Sequence, residues 1–263
     1  MDPTLASFLI FMAVGFLAQL VDGAVGMAYG VTSATFLLAF GIPPANVSAS
    51  VHASKVFTCA ASAWAHVRFG NTVPRLAFWL AAGGITGGVV GAYVLTTIPP
   101  NTVKPIIITY LAIMGVIILT RSMRVRIAAT KRDFSGALPL GTVGGFLDAM
   151  GGGGWGPTVT TTLIGSGVEP RVAIGSTNTA EFFVAVAVSV SFITMLLTGH
   201  WDQATELTQN LWPVLGLIAG GLIAAPLAAR VTRVLPASRM TWIVGLVVIG
   251  LAIWQGLQWA KVV

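Results

Sequence analysis

Charge is scarce in this chain. Lys, Arg, Asp and Glu make up 8% of its 263 residues, against about 25% in a soluble domain, which excludes a water-facing globular surface. Cysteine is nearly absent as well. Cys59 stands alone, so a disulfide within the chain, a multi-cysteine metal site and a thiol relay are excluded. The start, Met1-Asp2-Pro3, has no basic region, and no cleavable signal peptide is expected. What fills the sequence instead is apolar: 56% of residues are hydrophobic, in runs near the 20 or so residues that cross hydrocarbon. No stretch is left for a separate soluble domain. An all-α polytopic membrane protein is expected.

The few charges are unevenly placed. Arg121, Arg124, Arg126, Lys131 and Arg132 crowd one central loop, and Arg230, Arg233 and Arg239 another. Such clusters mark cytoplasmic loops. The loop with His200, Asp202 and Glu206 has no Lys or Arg and suits the outside. With Arg68, Arg75 and Arg171 inside, both termini fall on the periplasmic side of a cell inner membrane; Lys104 and Lys261 run against this pattern.

A constant shift of 126 positions aligns the chain with itself without a gap from Gly15 to Phe57. Gly15 meets Gly141, Asp22 meets Asp148, Gly26 meets Gly152, Pro44 meets Pro170, and Ser50 meets Ser176; Tyr29 faces Trp155 and Lys55 faces Glu181. Further on, Gly83-Gly84 corresponds to Gly220-Gly221. Each half holds a long apolar stretch broken by glycines, Gly23-Ala24-Val25-Gly26 in one and Gly151-Gly152-Gly153-Gly154 in the other. Each glycine costs a helix about 1 kcal/mol relative to alanine, so each stretch should turn there as a helical hairpin. Three plain spans follow in each half: 47–69, 76–95 and 103–120, then 172–198, 210–229 and 240–259. A hairpin plus three spans changes side an odd number of times, so the halves are expected to be inverted repeats. Their bounds are 1–125 and 135–263, with a basic cytoplasmic linker at 126–134. Whether each hairpin crosses or re-enters stays open; the second arms, 27–40 and 155–164, have lengths at which re-entry is common.

Matched breaks at corresponding positions of two halves point to a transporter site. Non-helical backbone at membrane depth needs protein or a wet cavity around it, and the helix starts behind a break favour an anionic group. Glycines that merely allow close helix packing are the competing reading. Polarity where a span should be apolar is the second signal: Ser48, Ser50, His52, Ser54 and Lys55 begin one span, and Ser176, Thr177, Asn178, Thr179 and Glu181 its mate. The candidate substrate-binding residues are therefore Gly26, Tyr29, Ser50, His52, Lys55, Gly152, Gly153, Trp155, Ser176 and Asn178. Lys55 either offsets the charge of an anion or pairs with Glu181 across the halves. Asp22, Asp148 and Glu181 are coupling candidates; the alternative for the two aspartates is that they simply cap the broken backbone. His52 either titrates or holds structure.

Enzyme chemistry finds no support. Gly151 to Gly154 is not followed by the Gly-Lys-Ser/Thr of a phosphate loop. Gly145-Phe146-Leu147-Asp148 lacks the glycine that precedes the aspartate of intramembrane aspartyl proteases, and Ser166 sits at a turn without a histidine partner. No cofactor, metal or nucleic acid is expected. The expected partners are the lipid bilayer, a small anionic substrate and protons, with a homodimer compatible.

Taken together, Gly15-Phe16 through Asp22 to Gly30, Gly144-Gly145-Phe146 through Gly151 to Pro157, Ile174 to Asn178 with Glu181-Phe182-Phe183, and the glycine-rich span from Gly83 to Gly91 resemble the sulfite exporter TauE/SafE family. The resemblance covers nearly the whole chain. It implies export or exchange of sulfite, sulfonates or related organic acids, by a proton-coupled or gradient-driven carrier or by a passive channel of the same fold.

Overall fold

A computed structural model describes residues 3–122, 136–201, 211–234 and 237–260. The linker 126–134, most of its basic cluster and the Asp202–Glu206 loop lie outside the described residues. All regular structure among the described residues is helical: α1 (Pro3–Val25), α2 (Tyr29–Ala39), α3 (Pro44–Arg68), α4 (Pro74–Thr97), α5 (Pro100–Ser122), α6 (Ala137–Gly151), a π-helical turn (Gly156–Thr160) running into α7 (Thr161–Gly165), α8 (Pro170–Leu197), α9 (Leu211–Val234) and α10 (Ala237–Trp259). Five of these are long and apolar enough to cross a membrane.

Local chemistry sets these boundaries. Proline opens α3, α4, α5 and α8, because its missing N–H and fixed φ suit the first helical position. Gly41 (φ 83°) and Gly167 (φ 97°) take the left-handed conformation that ends a helix, three residues before Pro44 and Pro170. The six plain spans read from the sequence are all helices, each starting or ending within a few residues of the expected position.

The first break is displaced from its expected place. Gly23, Ala24 and Val25 remain helical in α1, and the irregular backbone is Gly26-Met27-Ala28. In the second half Gly151 closes α6, and only Gly152 to Gly154 leave the helix. The arms behind the breaks are short. At 1.5 Å per residue, α2 is about 16 Å long and the 156–165 segment about 15 Å, half of a hydrocarbon core of about 30 Å.

Packing crosses between the halves. α1 lies along α9, α4 along α6, α5 along α10, and α3 along α8 at the centre. Glycine makes the first two seams possible. A side chain at Gly83, Gly87 or Gly91 of α4 would strike the backbone of α6, and one at Gly15, Gly216 or Gly220 would strike its partner across the α1–α9 seam. Without a hydrophobic force between helices in lipid, such small-residue seams gain dispersion contacts by close approach.

Candidate functional site

α3 and α8 carry the polar residues that a lipid-facing helix excludes, and they bury them. His52, Ser54 and Ser176 are fully buried, as is Asp148 of α6; Lys55 keeps 2% of its surface exposed and Glu181 9%. A buried charge survives only when paired, and here the pairing is threefold. Lys55 Nζ donates to Asp148 Oδ1 at 2.8 Å and Oδ2 at 2.9 Å and lies 2.8 Å from Glu181 Oε1. His52 Nε2 is 3.1 Å from Asp148 Oδ2, and its Nδ1 is 2.8 Å from the Ser48 carbonyl. Of the two sequence readings of Lys55, the pair with Glu181 is present in this structure, and Asp148 joins it.

Both aspartates also hold the broken backbone. Asp22 Oδ1 accepts the amides of Ala28 (2.8 Å) and Tyr29 (3.1 Å). Asp148 Oδ1 accepts the amide of Trp155 at 3.1 Å. A contact that caps broken backbone is thus present at both positions, but among the described residues only Asp148 has a cation as well and Asp22 makes no ion pair.

The breaks meet one another. A side chain on Gly153 would enter the backbone of Gly30 and Val31, and one on Gly30 would fall 2.9 Å from Gly153 Cα and 2.8 Å from Lys55 Cε. Gly26 (φ 72°) and Gly152 (φ 70°) are left-handed, with Ile174 beside the first and Ser48 beside the second. The aromatic residues that follow occupy glycine notches: Tyr29 lies against Gly221 of α9, and Trp155 against Gly84 of α4. Their polar ends are fixed, since Tyr29 Oη donates to the Leu217 carbonyl (3.1 Å) and Trp155 Nε1 to the Thr177 carbonyl (3.1 Å).

The remaining candidates are buried, and two of the three are engaged elsewhere. Ser176 Oγ accepts the Val73 amide at 3.0 Å, and Asn178 Nδ2 donates to the Ile174 carbonyl at 3.0 Å. Ser50 Oγ has no partner among the described residues. Two contributors lie outside the candidate set read from the sequence. Tyr110 of α5 donates to the Gly153 carbonyl at 2.9 Å, and Ser48 Oγ donates to the Ala149 carbonyl at 2.5 Å. A lone tyrosine in the 103–120 span is the available signal for Tyr110. No metal-ligating cluster occurs among the described residues.

Comparison with known proteins places this geometry. A family model described as sulfite exporter TauE/SafE matches residues 11–254. The chain is 41% identical over 227 residues to the probable membrane transporter protein YtnM of Bacillus subtilis (strain 168), an alignment that covers 84% of this chain and 73% of that protein. No solved structure matches.

Proposed function

This chain belongs to the sulfite exporter TauE/SafE family of membrane transporters, and on that footing we propose that it moves a small oxyanion across the cell inner membrane together with a proton. The substrate class is sulfite, a sulfonate or a related organic acid. The observation that carries the reading is the Lys55 bridge to Asp148 and Glu181 beside two touching helix breaks.

Charge counting supplies the coupling. One ammonium and two carboxylates leave the cluster one negative charge in excess, and a monovalent oxyanion such as hydrogensulfite or a sulfonate entering alone would double that excess. A proton entering with the anion keeps the net charge constant. Glu181 is the carboxylate proposed to take it, because Asp148 is also engaged by His52 and the Trp155 amide whereas Glu181 keeps more of its surface exposed. With Glu181 neutral, Lys55 turns a hydrogen toward the anion between Gly26, Tyr29, Gly152 and Gly153.

The two halves, 1–125 and 135–263, are proposed to be inverted repeats whose exchange of conformations opens the site to either side. Several contacts repeat between the halves: the aspartate caps and the left-handed glycines at the shift of 126, and the aromatic rings Tyr29 and Trp155, also 126 apart, in the corresponding notches at Gly221 and Gly84. The charge pattern supports a topology with both termini outside and the central loop inside.

Flux into proteoliposomes tests the reading. Sulfite should accumulate against its gradient when a pH gradient is imposed, and Glu181→Gln should abolish accumulation. Equilibration without accumulation would make the protein a channel, and the absence of flux for sulfite, taurine and sulfoacetate alike would overturn the proposal.

A further inference from the structure

The two helix breaks are built differently, and the difference lies in what covers their carbonyl oxygens. In the second break hydroxyl groups do so. Tyr110 Oη of α5 donates to the Gly153 carbonyl at 2.9 Å, and Thr158 gives both its amide and its hydroxyl to the Gly154 carbonyl. Just before the break, Ser48 Oγ donates to the Ala149 carbonyl. Thr32 matches Thr158 in the other half, yet its hydroxyl is buried without a partner among the described residues.

The glycines of the second break are fitted to Tyr110. A Cβ on Gly151 would strike the edge of its ring, and one on Gly154 would strike its hydroxyl. Val25 and Ala28 occupy the matching places in the first half. Counted from Pro100 and Pro236, Tyr110 matches Leu246, which is 55% exposed. The tyrosine laid across a break thus belongs to one half and is not a consequence of the repeat.

A peptide unit between two glycines meets little steric resistance to rotation about its flanking bonds. In a trans peptide the C=O and N–H are antiparallel, and no cis bond occurs among the described residues, so rotating the Gly153–Gly154 unit would exchange the two directions. With the carbonyl pinned to α5, the Gly154 N–H points away from α5. The next amide, Trp155 N–H, donates to Asp148 Oδ1, which Lys55 also holds. A flipped unit would turn a carbonyl to the side where the Gly154 N–H now lies. An oxyanion is bound by an N–H and repelled by a carbonyl oxygen.

We infer that Tyr110 is a positioning residue for transport: its hydroxyl holds the Gly153–Gly154 peptide with the N–H toward the anion and the carbonyl away from it. The inference rests on the proposed oxyanion transport and adds to it that the second break supplies the oriented backbone donor.

Tyr110→Phe keeps the ring across Gly151 and Gly154 and removes the hydroxyl alone. Half-saturating sulfite is measured twice, from the melting temperature in detergent, which rises with occupancy, and from flux into proteoliposomes. Both values should rise about two- to tenfold, the factor that one lost hydrogen bond gives, with the maximal rate within about twofold of the parent. Tyr110 replaced by 3-fluorotyrosine, which keeps the donor, should bind and carry sulfite as the parent does. Parental half-saturation in Tyr110→Phe overturns the inference. So does a loss confined to maximal rate and ligand-free melting temperature, since a merely structural tyrosine gives that result. A parent that sulfite stabilises but that carries none would sink the proposed function, and the binding comparison would still decide the role of Tyr110. A parent that sulfite, taurine and sulfoacetate all fail to stabilise overturns both.

Discussion

Replacing Lys55 by methionine keeps most of the side chain's length and removes its charge, leaving Asp148 and Glu181 side by side without a cation. Removing one member of a buried ion pair costs about 3–5 kcal/mol. One ammonium serves two carboxylates here, which pushes the loss to the upper end, while protonation of one carboxylate pulls it back. At about 2–4 °C per kcal/mol for a chain of this size, the melting temperature in detergent should fall by roughly 6–20 °C. Two further variants separate charge pairing from mere loss of packing. Lys55→Met with Asp148→Asn and Glu181→Gln removes every charge of the cluster and keeps an acceptor for the Trp155 amide. Neutral replacement of a whole buried cluster is often close to neutral for stability, so the triple variant should melt within about 5 °C of the parent and still transport nothing. Exchanging the pair, Lys55→Glu with Glu181→Lys, should not restore stability, because a carboxylate on α3 would then face Asp148. Adding Asp148→Asn to the exchanged pair should recover part of the loss. A single Lys55→Met variant that melts within about 2 °C of the parent, less than 1 kcal/mol on the same scale, would refute the reasoning, and so would full recovery by the simple exchange.

Gly153→Ala should cost about 1–3 kcal/mol and abolish flux, because the added methyl enters the Gly30 backbone; thermal melting and sulfite flux check it. Gly70→Ala is the matched control, with φ 69° but open space around it, and should cost about 1 kcal/mol with flux unchanged. Asp22→Ala should destabilise by about 0.5–2 kcal/mol through loss of the cap on Ala28 and Tyr29, whereas Asp22→Asn, which keeps an acceptor, should recover most of it. Equal melting of the two Asp22 variants would show that the carboxylate's charge, rather than its capping, is what counts.

Hydropathy placed the helix starts at 47, 76, 103 and 172, two or three residues late, because it passes over the prolines Pro44, Pro74, Pro100 and Pro170 that open these helices; Gly41 and Gly167 each close one. The shift of 126 found both aspartates, both aromatic residues and the Lys55–Glu181 relation. The displacement of the first break from Gly23–Gly26 to Gly26–Ala28 has a local cause. The Asp22 carboxylate reaches past the break to Ala28 and Tyr29, so α1 continues through Val25, and the single left-handed residue Gly26 makes the turn. Asp148 as the third member of the Lys55 cluster was harder to see, because its role joins α6 to α3 and α8, and one sequence gives no distance between helices. The same holds for the seams. Gly83, Gly87 and Gly91 announce a close approach by their spacing of four, but only the fold shows that the partner is α6.

The seams also set an order of assembly. α6 emerges about 40 residues after α4 ends, whereas α9 begins about 185 residues after α1 ends. At synthesis rates of about 5–20 residues per second, the α4–α6 seam can close within about 2–8 s of α4's completion, but the notched face of α1 waits about 10–40 s for its partner. During that interval Gly15 and the backbone around it have lipid, or the insertion machinery, for a neighbour. A chain truncated after α8 would never cover that face, so nascent chains of that length should be held by an insertase or degraded, while chains truncated after α9 should be released.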